Sequence, residues 1–118
     1  MKNNILREKS YAFALRIIKL YNFLKNKNEY VLSKQILRSG TSIGALIREA
    51  EYAQSKADFI NKLNIALKEA NETEYWLNLL KDSNLITFES FKSIEPDIKE
   101  LLKLLISSIK TAKSNKQE

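Results

Sequence analysis

The chain has 118 residues, a formal net charge of +6 and 44% hydrophobic residues, which predicts a single soluble domain spanning residues 1–118. It contains no cysteine and no histidine, which excludes disulfide frameworks, thiolate nucleophiles and histidine-based catalysis or metal binding. Because only two glycines and one proline are present, residues for tight turns are scarce and an all-α fold is predicted.

The first predicted helix spans about residues 5–27. Its core face is an apolar stripe at helical spacing, and Tyr11, Leu15 and Ile18 lie on a second side. Charged residues interrupt the apolar stretch, so neither a signal sequence nor a membrane span is expected, and a cytoplasmic protein is predicted. Lys9 and Arg16 border the core face, where long cationic side chains lay their stems on apolar surface and keep their charges in water.

The second predicted helix spans about residues 33–53, with Ser33 as its N-cap. Gly40 and Gly44 lie within this helix, and each costs about 1 kcal/mol relative to alanine in a helix interior. We therefore expect a neighbouring helix to approach closely at Gly40, and either a close approach or a kink at Gly44. A phosphate-binding loop is not expected, because the strand before such a loop and the lysine after it are missing.

The third predicted helix spans about residues 56–81 and opens with Ser55 and Asp58 in a capping box. Apolar residues at helical spacing form a core stripe on one face of this helix. A second apolar patch, with glutamates nearby, lies on the opposite face. Such a patch on an amphipathic helix needs another burial partner, most economically a second subunit. The residues predicted at this oligomer interface are Ile65, Glu69, Glu72, Trp76 and Leu79.

The fourth predicted helix spans about residues 88–113 and has Thr87 as its N-cap. Pro96 lacks an amide proton, so a bend or a short separate turn is expected before it. Four amphipathic helices with short polar connections predict an antiparallel up-down-up-down four-helix bundle. Because the first and third helices carry extra apolar faces, the bundle is predicted to assemble into a homo-oligomer.

The carboxylates of the chain do not form a recognisable catalytic pattern. Di-metal sites in helical bundles need inward-facing Glu-x-x-His pairs, whereas Glu69 and Glu72 point away from the predicted core and the chain has no histidine. These glutamates are most simply salt-bridge partners of Arg38, Arg48 or Lys68. We therefore expect no metal, no cofactor and no enzymatic activity.

Positive charge is concentrated in the first third of the chain. Residues 1–38 hold nine lysines and arginines against two glutamates, whereas residues 39–80 hold four against six acidic residues. Two explanations remain open: a polyanionic partner, or a surface whose charge serves only solubility. If nucleic acid binds, phosphate contacts that read no sequence are expected. The candidate nucleic-acid-binding residues are Lys9, Arg16, Lys34, Arg38 and Arg48.

Two sequence runs carry a family resemblance: QILRSGTSIGALIREA from Gln35, and SKADFINKLNIALKEANETEYWL from Ser55 to Leu77. They resemble the 23S rRNA intervening-sequence proteins and, more distantly, the accessory variability proteins of diversity-generating retroelements. Leu46 stands where the family usually has asparagine. The resemblance implies a small bacterial protein that assembles as a ring-like homopentamer of four-helix bundles, and in the retroelement branch such barrels bind nucleic acid and a reverse transcriptase.

Two functional hypotheses follow from the pattern and the resemblance together. In the first, the protein is an RNA-binding or ribonucleoprotein accessory factor whose ring repeats a weak basic patch and gains avidity. In the second, the ring is a structural or protein-interaction module and its positive charge is incidental. No membrane association is expected under either hypothesis.

Overall fold

Apolar residues at helical spacing fold the chain into four helices, as predicted. The computed structural model describes residues 2–115, with side chains from residue 5 onward. Within this range there are four helices and no strand: α1 (Lys2–Asn26), α2 (Leu32–Glu51), α3 (Lys56–Asp82) and α4 (Phe88–Ser114). Helix α1 begins at Lys2 rather than at residue 5, and α2 ends at Glu51 rather than at residue 53. The bundle measures 51 × 22 × 19 Å.

Successive helices run antiparallel. Ion pairs join residues that lie about equally far from the turn between their helices: Arg7–Glu51 (3.8 Å), Glu49–Lys62 (3.6 Å) and Glu74–Lys99 (2.7 Å). Lys9 of α1 and Glu100 of α4, 3.3 Å apart, close the arrangement between the first and last helices. The four helices therefore stand at the corners of a bundle, with α1 and α3 on one diagonal.

Leucine, isoleucine, phenylalanine and alanine side chains from all four helices form one buried cluster. Among its members Phe13 and Ile17 of α1, Ile43 of α2 and Leu77 of α3 are at most 1% exposed. Full burial of a side chain of this size contributes about 1.5–3 kcal/mol. This cluster is the main source of stability, since no disulfide is available to the chain. No helix in the described part of the chain is long and apolar enough to cross a bilayer.

The two turns at one end of the bundle share the same backbone geometry. Asn28 and Asn84 have φ angles of 64° and 65°, in the left-handed region that asparagine tolerates better than most residues. After α1, the Glu29 N–H donates to the Leu24 carbonyl and the Asn28 N–H to the Lys25 carbonyl, which is a Schellman motif. The same pair of bonds follows α3. Asparagine at these positions ends α1 and α3 at equivalent places.

The predicted N-cap of α2 is wrong, and those of α3 and α4 are confirmed. Ser55 and Thr87 accept hydrogen bonds from the backbone N–H groups of Asp58 and Ser90, each at 3.0 Å. Ser33, in contrast, is buried inside α2. The carboxylate of Glu29 caps α2 instead, accepting from the backbone N–H groups of residues 31, 32 and 33 at 3.2, 3.0 and 2.7 Å. A carboxylate near a helix N-terminus also interacts favourably with the helix dipole.

Pro96 does not interrupt α4, so the predicted separate turn is wrong. The helix continues from Phe88 through Pro96 to Ser114. A proline in a helix interior removes one backbone hydrogen bond and costs about 3 kcal/mol. Residues on both sides of it, Ile94 and Ile98, are buried in the core, and their burial offsets that cost.

The expected close approach at Gly40 is confirmed. A Cβ atom at Gly40 would lie 2.8 Å from Cγ1 and 2.9 Å from Cγ2 of Ile17, so α1 packs directly on the α2 backbone there. At Gly44 the nearest atom would be the Ser10 Oγ at 3.4 Å, which is an ordinary contact. Helix α2 runs unbroken through both glycines, so neither of them ends it.

We predict opposite effects for alanine at these two glycines. Gly40→Ala should lower the free energy of unfolding by about 1 kcal/mol, because overpacking against the branched Ile17 outweighs the gain in helix propensity. Gly44→Ala, the matched control, should raise it by up to about 1 kcal/mol. Urea titrations of both variants measure the difference, and equal effects would show that Ile17 moves aside freely.

We also predict that Glu29→Ala lowers the free energy of unfolding by about 1 kcal/mol at neutral pH, whereas Ser33→Ala changes it less. Partial burial opposes ionisation of Glu29, but hydrogen bonds from the backbone N–H groups of residues 32, 33 and 31 outweigh it and lower its pKa.

The stabilisation by Glu29 should therefore be complete above the ordinary glutamate pKa and disappear as the pH falls through the lowered pKa of the folded state. Thermal melts of wild type and Glu29→Ala across this range test the prediction. A stability difference that does not change with pH would argue against a carboxylate cap.

Candidate functional site

Arg38 lies at the centre of a polar cluster between α2 and α3. Its NH1 donates to Glu69 Oε1 at 3.1 Å, and its NH2 donates to Glu72 Oε2. The indole Nε1 of Trp76 donates to the same Glu72 oxygen at 3.0 Å. We call these four residues the α2–α3 cluster. The predicted salt bridges between these glutamates and Arg38 are confirmed.

A buried pair of hydroxyls lies beneath the α2–α3 cluster. Ser39 and Thr73 are both fully buried, and a hydrogen bond of 2.8 Å joins their oxygens. Thr73 Oγ1 is also 2.8 Å from the carbonyl oxygen of Glu69. Since a buried hydroxyl without a partner costs about 1–3 kcal/mol, this pair favours one sliding position of α2 along α3.

Arg38 and Glu72 stabilise the charged forms of each other. The hydrogen bond to Glu72 raises the pKa of Arg38, and Glu69 adds to this effect. Hydrogen bonds from Trp76 and then from Arg38 lower the pKa of Glu72. A carboxylate held in its charged form by two donors is a poor general acid near neutral pH. The cluster is therefore suited to holding helices together rather than to proton transfer.

Two of the predicted basic residues hold α1 against α4. The Arg16 guanidinium donates to Asp97 Oδ2 at 2.8 Å, to the Ser93 carbonyl at 3.0 Å and to Ser93 Oγ at 2.8 Å. Lys9 pairs with Glu100 on the same side of the bundle. Both cations therefore have carboxylate partners within the chain.

Lys34 and Arg48, the other two predicted basic residues, are exposed on α2 and form no ion pair within residues 5–115. They lie near opposite ends of that helix. Arg48 lines a shallow apolar groove of about 300 Å³ between α1 and α2, together with Tyr11 and Ile18. The five predicted nucleic-acid-binding residues are thus spread over several faces and do not form one patch.

The residues predicted at an oligomer interface lie along α3 as expected, but they also have partners within the chain. Ile65, Trp76 and Leu79 are half-buried, and Trp76 packs against the core of its own bundle. The two predicted glutamates hold Arg38. A more exposed apolar stripe lies on α1, where Tyr11, Leu15 and Ile18 are 60%, 48% and 40% exposed.

One surface was missed by the sequence analysis. Phe23, Tyr30 and Phe88 are exposed near the turns that follow α1 and α3. Lysine ammonium groups lie over aromatic rings in the same region, 4.8 Å from the Phe23 ring centre for Lys27 and 5.4 Å from the Phe88 ring centre for Lys92. An aromatic residue followed four positions later by lysine is the signal that would have revealed these pairs, because helical residues at this spacing are neighbours.

The described residues contain no group of three or more histidine, cysteine, aspartate or glutamate side chains arranged to hold a metal ion. Glu69 and Glu72, which lie three positions apart on α3, are bound to Arg38.

The sequence of the chain matches the model of a known protein family. The family described as 23S rRNA-intervening sequence protein matches residues 2–107, which is most of the chain. The chain belongs to this family. Arg38, Ser39, Glu72 and Thr73, which lie in the two sequence runs that resemble the family, join α2 to α3. Leu46, which departs from the motif, packs against the core.

A solved structure shares the fold of this family member. The crystal structure of a protein of unknown function from the S23 ribosomal protein family of Bacteroides thetaiotaomicron VPI-5482 superposes with a TM-score of 0.91. The two sequences are 66% identical, and the match covers 93% of this chain and 99% of the other. No protein with a curated description matches the chain.

We predict an energetic coupling between Arg38 and Glu72 of about 0.5–1 kcal/mol at neutral pH, since Arg38 is half-exposed and water weakens the pair. A double-mutant cycle with Arg38→Ala and Glu72→Ala measures it. Because the folded-state pKa of Glu72 is lowered, the coupling should be complete above the ordinary glutamate pKa and vanish as the pH falls through the lowered value. A coupling that persists in acid would show that packing, not charge, joins the two side chains.

Proposed function

We propose that this protein is a non-enzymatic RNA-binding accessory factor of the cytoplasm that acts as a homo-oligomeric ring. The observation that carries the proposal is the combination of family membership with cations left without carboxylate partners. Lys34 and Arg48 are the two such cations among the predicted residues, whereas Lys9, Arg16 and Arg38 neutralise carboxylates within the bundle. A net charge of +6 adds a general attraction to polyanions.

Two unpaired cations of each subunit, Lys34 and Arg48, support a binding mode in which weak contacts with RNA are repeated around an assembly. A single exposed lysine or arginine contributes little to RNA binding, and its contribution is reduced further by salt. In a ring, each subunit repeats the same contacts, and the second and later contacts are made at high effective concentration. In the homopentamer implied by the family resemblance, each unpaired cation would occur five times in one assembly.

The two apolar faces support a head-to-tail assembly. The exposed stripe on α1 (Tyr11, Leu15, Ile18) and the half-buried face on α3 (Trp76, Leu79) lie on diagonally opposite helices. Contact between two different faces of the same subunit generates rings or open filaments, whereas a face that pairs with itself gives a dimer. We therefore propose that α1 of one subunit packs against α3 of the next.

A protein-interaction ring without an RNA role is the second candidate. The exposed apolar stripe on α1 is the observation in its favour, because apolar patches on a soluble protein usually mark binding surfaces. An oligomer that keeps its mass but binds no RNA at low salt would favour this candidate.

We predict that Lys34→Ala/Arg48→Ala reduces the salt dependence of RNA binding. Each lost phosphate contact should lower the slope of log Kd against log salt concentration by roughly one unit. Lys9→Ala/Lys99→Ala is the matched control, since it removes the same charge from cations that already have carboxylate partners, and its slope should change by less than about half a unit. Equal changes would show that the salt bridges open to bind RNA.

We predict that Leu15→Glu and Trp76→Ala each reduce the mass of the assembly before the bundle unfolds, because both alter a proposed subunit contact. Ile106→Glu is the control, because Ile106 on α4 is 52% exposed, close to the 48% of Leu15. Light scattering gives the mass and circular dichroism gives the helix content. A wild-type mass for both Leu15→Glu and Trp76→Ala would contradict the proposed contact.

A further inference from the structure

One end of the bundle combines exposed aromatic rings with lysines. We define the loop end as the turns at residues 27–31 and 83–87 with the adjoining helix residues. Phe23, Tyr30 and Phe88 are 44%, 52% and 61% exposed there. Exposed aromatic rings clustered in one region of a soluble protein usually serve binding.

Cations lie beside the rings of the loop end. Lys27 and Lys92 lie over the Phe23 and Phe88 rings, and Lys25 lies 5.3 Å from the ring centre of Tyr21. Each pair has the four-residue spacing that places a ring and an ammonium side by side on a helix. None of these three lysines forms an ion pair in the described part of the chain, so their charges are available to a polyanion.

The carboxylates of the loop end are fewer than its lysines and leave part of this positive charge unbalanced. Glu29 is occupied by the backbone N–H groups that begin α2, and Asp82 lies 3.6 Å from Lys81. Glu89, in the first turn of α4, is exposed and forms no ion pair among the described side chains. Because Glu29 keeps its negative charge while it caps α2, two carboxylates, Glu29 and Glu89, stand against Lys25, Lys27 and Lys92, with Lys34 nearby at the start of α2.

Two grooves provide a path across the loop end. The first, of about 290 Å³, has Lys19 and Phe23 on one side and the hydroxyls of Ser90 and Ser93 on the other. The second, of about 520 Å³, is lined by residues of the second turn, including Asn84 and Phe88. Ile86 borders both grooves, so they adjoin, and each offers an aromatic ring with polar groups that can bond to base edges.

We propose that the loop end binds single-stranded RNA, with bases stacked on Phe23 and Phe88 and phosphates contacted by Lys25, Lys27 and Lys92. The proposal rests on the RNA-binding function proposed above and adds the loop end to the contacts expected of Lys34 and Arg48. Stacking on aromatic side chains requires bases that are splayed out, whereas the faces of bases in a duplex are covered by their neighbours. The alternation of rings with unpaired lysines matches the alternation of bases with phosphates.

The test is fluorescence anisotropy with a labelled 15-nucleotide oligo(U) strand and with a 15-base-pair RNA duplex. Phe23→Leu/Phe88→Leu keeps apolar volume but removes the stacking surfaces, and it should weaken binding of the single strand at least about tenfold. Tyr52→Leu/Tyr75→Leu removes two exposed rings that lie outside the loop end and should change the affinity less than about twofold. Light scattering and circular dichroism verify that both variants keep the wild-type mass and helix content.

A second variant makes the test independent of any loss of folding. Phe88→Trp should bind oligo(U) at least as tightly as wild type, and its added indole fluorescence should be quenched on binding because the larger ring stacks on a base. Unchanged single-strand affinity in the double phenylalanine variant would overturn the loop-end proposal and leave the RNA-binding function standing. Tighter binding of the duplex than of the single strand would also overturn it, and wild-type protein that binds neither RNA would overturn both.

Discussion

The contact between Gly40 and Ile17 sets the geometry on which the rest of the bundle depends. Because α1 lies directly on the α2 backbone at this point, there is no space for even a methyl group. On its other side α2 carries Arg38 and Ser39, which meet α3 through ion pairs and a buried hydroxyl pair. Helix α2 is thus held between a purely steric contact and a polar one. The steric contact fixes how closely α1 approaches α2, and the paired hydroxyls fix the position of α2 along α3, so the two contacts have complementary roles.

The distribution of charge divides the molecule into two kinds of surface. Along the sides of the bundle, Lys9, Arg16 and Arg38 meet carboxylates of the neighbouring helix, and these pairs orient the helices while cancelling charge. At the loop end the lysines meet aromatic rings instead, which leave the positive charge intact. The cations of the bundle therefore have two kinds of partner, carboxylates and aromatic rings. Overall charge alone does not distinguish the two kinds of surface.

Much of the fold could be predicted from the sequence because helical periodicity is a local property. The core stripes, the caps at Ser55 and Thr87 and the close approach at Gly40 all depend on residues near one another in the chain. The cap of α2 was misassigned because Glu29 reaches over from the turn, where side-chain direction depends on the left-handed backbone at Asn28. The tolerance of Pro96 within α4 depends on burial against other helices, which periodicity does not measure.

The site was harder to predict than the fold. Whether a cation is free depends on its partner in three dimensions: Arg16 and Asp97, which pair at 2.8 Å, are 81 positions apart in sequence. Arg38 was correctly linked to glutamates, but its charge was also counted toward a nucleic-acid surface. Phe23 and Phe88 of the loop end lie outside the four buried apolar stripes, so helical periodicity does not identify them. Their four-residue spacing to lysine was present in the sequence.

The antiparallel arrangement of the helices also determines where a tether can be attached without covering the loop end. Residue 2 begins α1 and Asn115 follows α4, so both lie at the end opposite the loop end, where Lys56 Nζ donates to the Asn115 carbonyl. A tether attached beyond either position would hold the molecule by its far end. On a sensor surface or a bead, every bundle would then present its lysines and aromatic rings outward in one orientation, with no linker passing over them.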